Sequence, residues 1–141
     1  MTFEILTLDT LTNEVQVQVA ALYKQLNADN KQRSLQEILH SKNNVLVLLC
    51  KVDSAVVGIA LLSTYTVISG FRGMVDDVVV DRSQRGKGIG KKLMNKLIEE
   101  SAKIGLDEIL LFTGHHRKPA IALYTSLGFE LRKSGLYSLK I

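Results

Sequence analysis

The chain has 141 residues, of which 46% are hydrophobic and 23% charged, with one proline and one cysteine. That length fits a single domain, residues 1–141, able to bury an ordinary core without disulfide or metal staples, and the composition excludes a disordered, fibrous or low-complexity chain. The net charge is +4, but Arg82, Arg85, Lys87, Lys91, Lys92 and Lys96 lie in a stretch with no acidic residue; without those six, 12 of the 18 basic residues face 14 acidic ones, so the whole positive excess belongs to that stretch and favours an anionic partner there.

In chain order, residues 3–8 alternate as a first strand, and Leu11, Val15, Val19, Leu22 and Leu26 recur at helical spacing to about residue 27. No basic leader precedes a long apolar run and no stretch reaches the length of a membrane span, so a cytoplasmic, membrane-free protein is expected. Ser34 suits the cap of a short helix bearing Leu35, Ile38 and Leu39. Two apolar runs, Val45–Val52 and Val56–Ile68, flank Asp53-Ser54 and predict a β-hairpin. Cys50 lies in the first run, where a lone thiol is expected as buried packing.

Gly70 and Gly73 are expected to bracket a loop, followed by a strand over Met74–Asp81. Helical periodicity returns with Ile89, Leu93, Met94, Leu97, Ile98 and Ala102 and stops at Gly105, a C-terminal cap. A strand over Glu108–Thr113 and a helix over Pro119–Leu127 follow, the latter with Pro at its start and Gly128 past its end. Short strands over Phe129–Lys133 and Tyr137–Ile141 complete the order β-α-α-β-β-β-α-β-α-β-β. This is a mixed α/β (α+β) fold, with a mainly antiparallel sheet of about seven strands and helices on both faces.

Gly86, Gly88 and Gly90 alternate at the junction between the Met74–Asp81 strand and the next helix. Glycines there let several N–H groups converge on one ligand, the helix N-terminus adds its positive end, and Arg85, Lys87, Lys91 and Lys92 add full charges, which suits a diphosphate. A Walker A loop and a dinucleotide G-x-G-x-x-G both require glycine at position 91, which is Lys91.

Arg85-Gly86-Lys87-Gly88-Ile89-Gly90 resembles the R/Q-x-x-G-x-G/A signature of the GNAT superfamily of acyl-CoA-dependent N-acyltransferases. Val75-Asp76-Asp77-Val78-Val79-Val80-Asp81 resembles that family's fourth strand, and Ala120 to Phe129 its A-x-x-L-Y-x-x-L-G-F segment. The resemblance implies acetyl-CoA as cosubstrate, its pyrophosphate on the main chain of Arg85, Gly86, Lys87, Gly88, Ile89 and Gly90, with Lys91 also binding the cofactor. It implies a pantetheine arm pairing with Val78, Val79 and Val80 where this strand and the next diverge.

Acetyl transfer to an amine needs a neutral nucleophile, a polarised carbonyl and a proton for the departing thiolate. By resemblance, Tyr124 is the general acid, its other reading being an aromatic on a buried helix face. Asp76 and Asp77 stand in a valine-rich strand where carboxylates are disfavoured, and match the Glu-Asp of glucosamine-phosphate N-acetyltransferases and other small members, which suggests recognition or deprotonation of the amine. Simple alternation groups Asp76 with Val78 and Val80, and Asp77 with Val79, unless the family's bulge intervenes. His115 and His116 follow the strand across the cleft, and either could act as a base; no metal-ligand spacing accompanies them, and no metal is expected. Arg117 departs from the family, which often has asparagine seven residues before the tyrosine.

The alternative functions are a catalytically inactive acyl-CoA-binding regulatory module and a nucleic-acid-binding domain; no aromatic residues interleave with the basic cluster, so no nucleic acid is expected. The acceptor is left open between a small-molecule amine and a protein or peptide amine, since residues 27–34 and Ser69–Gly73, which would shape its site, carry no motif. A homodimer is implied by resemblance, with Leu136–Ile141 supplying apolar residues.

Overall fold

The computed structural model describes all 141 residues. One five-stranded sheet runs through the molecule in the order β1 (Thr2–Leu6), β2 (Val45–Val52), β3 (Ala55–Val67), β4 (Gly70–Val80), β5 (Glu108–Leu111). The first four strands are mutually antiparallel, and β5 pairs in parallel with β4. The helices are α1 (Asn13–Tyr23), α2 (Leu35–Ile38), α3 (Ile89–Ile104) and α4 (Lys118–Ser126). No helix is long and apolar enough to cross a membrane.

Both faces of the sheet are covered, which explains the unbroken apolar runs of β2 and β3. Val47 and Leu49 face a core with Val15, Val19 and Leu22 of α1 and Leu35 of α2, while Leu48 and Cys50 face a second core with Ile89, Leu93, Met94 and Leu97 of α3. Thr12 and Ser34 cap α1 and α2 through their hydroxyls. Cys50 is fully buried, which pushes its thiol up from its ordinary value. Gly58 on β3 seats α3: a Cβ there would stand 2.9 Å from Leu93 Cδ1 and 3.3 Å from Ile89 Cγ2, so the bare backbone lets the start of α3 settle on the sheet.

The structure corrects two expectations. Residues 70–73 are strand, not loop: β3 runs on to Val67, the turn falls at Ile68-Ser69, and Gly73 pairs with Thr64 and Ile109. Glycine punctuates loops, but at 73 it accommodates Leu62 and Leu106, whose Cδ1 atoms would lie 2.7 and 2.8 Å from a Cβ.

The other correction concerns the two C-terminal strands. Residues 129–141 form none, so the sheet has five strands and not seven. The last main-chain hydrogen bond is that of the Phe129 N–H to the Tyr124 carbonyl, and the residues beyond are exposed, Leu139 at 85% and Tyr137 at 97%. Beyond Phe129 the segment meets the sheet at an ion pair between Arg132 and Glu108. A short hairpin lacks independent stability, and β5 with four residues offers it a short edge.

Candidate active site

β4 outruns its neighbour. Its pairing with β5 covers only Arg72–Val75, so the main chain of Asp76–Val80 has no partner strand on that side. This leaves the main-chain edge of β4 open beyond the end of β5, where an extended group could pair with it.

Just beyond the last β5 pair β4 bulges. Asp76 pairs with Leu61 and Val79 with Ile59, so Asp77 and Val78 together oppose Ala60. Asp77 takes φ 53°, a left-handed conformation that aspartate tolerates better than most residues. One extra residue inverts the faces downstream: Val75 and Val78, three apart, both pack on the α3 side, as does Val80, whereas Val79 packs on the α1 side. Simple alternation therefore fails beyond Asp76. Asp76 is exposed and Asp77 half-buried. Desolvation raises both carboxyls above the ordinary carboxylate range, and the charge of Asp76 raises Asp77 further.

After β4 comes the glycine-rich loop. Gly86 and Gly88 hold φ of 79° and 77°, and a Cβ on either would meet nothing within 4 Å. The glycines are required by backbone conformation and not by packing. Gly88 is the N-cap of α3 and supplies no side-chain cap. None of the main-chain N–H groups from Lys87 to Lys91 donates to a protein main-chain acceptor, the first bond of the helix running from the Lys92 N–H to the Gly88 carbonyl at 3.1 Å. A row of open donors at the positive end of a 16-residue helix, among exposed lysines, is built for an anion.

The expected ligand residues divide by what they offer. Gly86, Lys87, Gly88, Gly90 and Lys91 offer main chain, and the two lysines also charge. Ile89 offers only its N–H, because its side chain is 2% exposed in the core. Arg85 is partly committed, its Nε donating to the Val80 carbonyl at 3.1 Å and holding the loop against the end of β4.

A clamp that sequence reasoning missed fixes this loop. Asp81 caps the short 3-10 turn Arg82–Gln84, accepting from the Ser83 N–H at 2.8 Å and the Ser83 hydroxyl at 2.6 Å. Gln25, past the end of α1, donates through Nε2 to Asp81 and accepts the Arg82 N–H through Oε1. These hydrogen bonds, Ser83 first, hold the Asp81 carboxyl below its usual range. Asp81-x-Ser83 was a readable local cap; nothing local marked Gln25.

The last helix, α4, carries Tyr124. Its ring is half-buried against the α3-side core and meets Phe129 edge-on, with ring centres 6.0 Å apart. Burial raises the phenol above its ordinary value and the charge of Arg117 opposes the rise. The neighbouring Leu123 contacts the phosphate-loop side, its Cδ2 lying 3.4 Å from where a Cβ on Gly90 would stand. His115 and His116 are exposed in the loop between β5 and α4. No group of three or more His, Cys, Asp or Glu side chains converges as a metal site would require.

Residues 9–129 match the model of the acetyltransferase (GNAT) family. The chain is 27% identical over 120 residues to an L-methionine sulfoximine/L-methionine sulfone acetyltransferase of Salmonella typhimurium, a match covering 84% of this chain and 70% of that enzyme. It is 31% identical over 84 residues to an L-amino acid N-acyltransferase of Escherichia coli, covering 59% of this chain and 49% of that enzyme. An aminoglycoside acetyltransferase from an uncultured soil metagenomic sample superposes with a TM-score of 0.80 at 21% identity, over 99% of this chain and 96% of the other; at that identity the likeness concerns the fold.

Proposed function

The chain belongs to the GNAT acetyltransferase family, and from that premise we propose that it moves an acetyl group directly from acetyl-CoA to the primary amine of a small, amino-acid-like molecule. The observation that carries the proposal is the row of unpaired N–H groups from Lys87 to Lys91, opening beside the unpartnered edge of β4. The first suits a pyrophosphate and the second an amide-bearing arm. The amino-acid acceptor class is supported by the names of the two relatives above. A protein or peptide amine is the competing acceptor.

In this reading the N–H row and Lys87 and Lys91 bind the diphosphate, and the main chain of Val78–Val80 orients the arm so that the thioester reaches the bulge. The Asp77 carboxylate, with Asp76 beside it, takes a proton from the ammonium, directly or through water, because only the neutral amine attacks. A carboxyl raised by desolvation is a better base than one in water. His115 is the alternative base. The amine nitrogen bonds to the carbonyl carbon, the carbon–sulfur bond breaks, and the Tyr124 hydroxyl gives its proton to the sulfur. No metal takes part.

Residues 1–141 act in this proposal as one domain in the cytoplasm, and as a homodimer joined through the exposed Leu136, Leu139 and Ile141. Gel filtration of the wild type against a Leu136→Ser/Leu139→Ser variant tests the dimer. The function is tested by incubating the protein with acetyl-CoA and a panel of amino acids, amino sugars, polyamines and peptides while free thiol is measured. Turnover of an amino acid or close analogue supports it. Tight CoA binding without turnover of any amine would indicate an inactive binding module instead.

A further inference from the structure

Arg117 stands where a cation is least expected. It is the N-cap of α4, it makes no side-chain cap bond, and no acidic residue occupies the first turn of the helix. Lys118 follows it and His115 and His116 precede it. A helix start favours negative charge, so positive groups there work against the helix itself. Nor does Arg117 belong to an ion pair, the carboxylates of the protein pairing with Arg33, Lys51, Arg72, Lys96, Lys103 and Arg132. A residue that departs from local preference without a compensating contact points to a use elsewhere.

That use is found two turns along the helix. Tyr124 lies seven positions after Arg117, and at 3.6 residues per turn the two share one face of α4. Long side chains on a helix lean toward its N-terminus, which brings the Tyr124 ring back toward Arg117. The Tyr124 ring is half-buried, packed against the α3-side core.

We propose that Arg117 is a positioning residue for Tyr124, a fixed positive charge that stabilises the phenolate left when the hydroxyl gives up its proton to the departing sulfur. It rests on the reading of Tyr124 as the acid. When the carbon–sulfur bond breaks, the sulfur keeps the bonding pair and receives the phenol's proton; the negative charge then rests on the tyrosine oxygen until solvent returns a proton. Arg117 lowers the energy of that oxygen anion. Asp76 and Asp77 on β4, Lys91 and Lys92 on α3, and His115, His116 and Lys118 on the approach to α4 are the other titratable groups of the surrounding elements; Arg117 is the one whose charge acts on the phenol.

The test compares Arg117→Gln and Arg117→Lys, each with and without Tyr124→Phe. Tyrosinate absorbance of the ligand-free protein is titrated, and the difference between each variant and its Tyr124→Phe partner isolates Tyr124 from the other three tyrosines of the four in the chain. Arg117→Gln is expected to move the Tyr124 titration to higher pH, to move the alkaline limb of kcat with it, and to lower kcat by about tenfold per unit moved at most. KM for acetyl-CoA stays constant, Arg117→Lys restores most of the rate, and Arg117→Gln has no further effect once Tyr124 is phenylalanine. Added salt shrinks the difference.

An unmoved Tyr124 titration overturns the proposal, and so does a loss confined to KM for acetyl-CoA, which would make Arg117 a ligand contact. Full activity in Tyr124→Phe overturns it through the premise. That failure is distinguishable, because the absorbance titration reports the Arg117 effect without turnover.

Discussion

Gln25 and Asp81, 56 positions apart in sequence, are joined by a hydrogen bond of 3.0 Å from the Gln25 amide Nε2 to Oδ2 of the carboxylate. The other end of the same amide accepts the Arg82 N–H at 3.0 Å. One side chain of the α1 region thus holds both the cap and the first residue of the turn that launches the phosphate loop. Arg85 holds the far side of that turn to β4. The loop is fixed at both ends while its own N–H groups are left open, which is the preorganisation an anion site needs.

Replacing Asp81 by alanine removes the cap of the turn and the clamp together. Stability is expected to fall by about 1 kcal/mol, within the usual range for a lost cap, and KM for acetyl-CoA to rise severalfold with kcat nearly unchanged. Denaturant unfolding and initial-rate kinetics check the two halves separately. A drop in stability with no change in KM would mean that the clamp serves the fold alone.

The same carboxylate carries a pH dependence whose sign is fixed. Its folded-state pKa lies below that of the unfolded chain, so its contribution is fully present above the ordinary aspartate value of about 3.9 and is lost as pH falls through the lower folded value. The stability gap between wild type and Asp81→Ala should therefore be constant from neutral pH to about pH 5 and narrow at more acid pH. Because Asp81 is largely open to solvent, the electrostatic part of the gap stays at or below about 1 kcal/mol. Thermal melts of both proteins across that range measure it; a gap that widened in acid would refute the assignment.

Asp77→Asn separates the charge of the bulge from its shape. Asparagine accepts the φ of 53°, so the bulge persists, but it cannot take a proton from the amine. Activity should fall by about a hundredfold or more, the usual scale for a lost general base. Stability at pH 7 should hold or rise: the Asp77 carboxyl is raised, so its charged form is disfavoured by folding above that raised value and the penalty is relieved as pH falls through it. In the wild type kcat should likewise climb with pH through that raised value. Asp77→Ala should lose activity and also about 1 kcal/mol, because alanine lacks the short polar side chain that lets aspartate and asparagine tolerate a left-handed conformation. Retained activity in Asp77→Asn would shift the base to His115.

What could be read from sequence followed the range of the interactions. The loop from Arg85 to Lys91 rests on local spacing, and the strand carboxylates and Tyr124 on motif resemblance; the structure puts the loop at the start of α3, the carboxylates at the β4 bulge and Tyr124 on α4. Val78 and Val80 share a face opposite Val79 as alternation expects, but Asp76 does not share it with them, because one inserted residue opposite Ala60, the bulge the resemblance allowed for, shifts the alternation and leaves no mark in composition. Gly73 looked like a loop residue because a close approach by Leu62 and Leu106, distant in sequence, is invisible in one dimension. The strands expected at 129–133 and 137–141 have the right alternation, but a strand also needs an edge to pair with. Gln25 could be found only through its partner.

The two helix-proximal glycines should respond differently to a methyl group. Gly88 has φ 77° with open space around it, so Gly88→Ala places a Cβ in a left-handed conformation at a cost of about 1–2 kcal/mol or forces the loop to re-form and turns the N–H row away. The expected result is a large rise in KM for acetyl-CoA. Gly90 has an ordinary helical backbone and a Cβ there would lie 3.4 Å from Leu123 Cδ2 and 3.8 Å from Val80 Cγ2. Gly90→Ala should therefore be tolerated within about 1 kcal/mol, helix propensity offsetting the tight contact, with KM unchanged. Gly90→Val adds two methyl groups against Leu123, the residue before Tyr124, and should lower kcat by displacing α4 while acetyl-CoA still binds. Kinetics on the three variants would give KM, neither and kcat effects in that order; a KM effect in Gly90→Ala would mean that the loop and α3 do not divide the work as their backbone angles indicate.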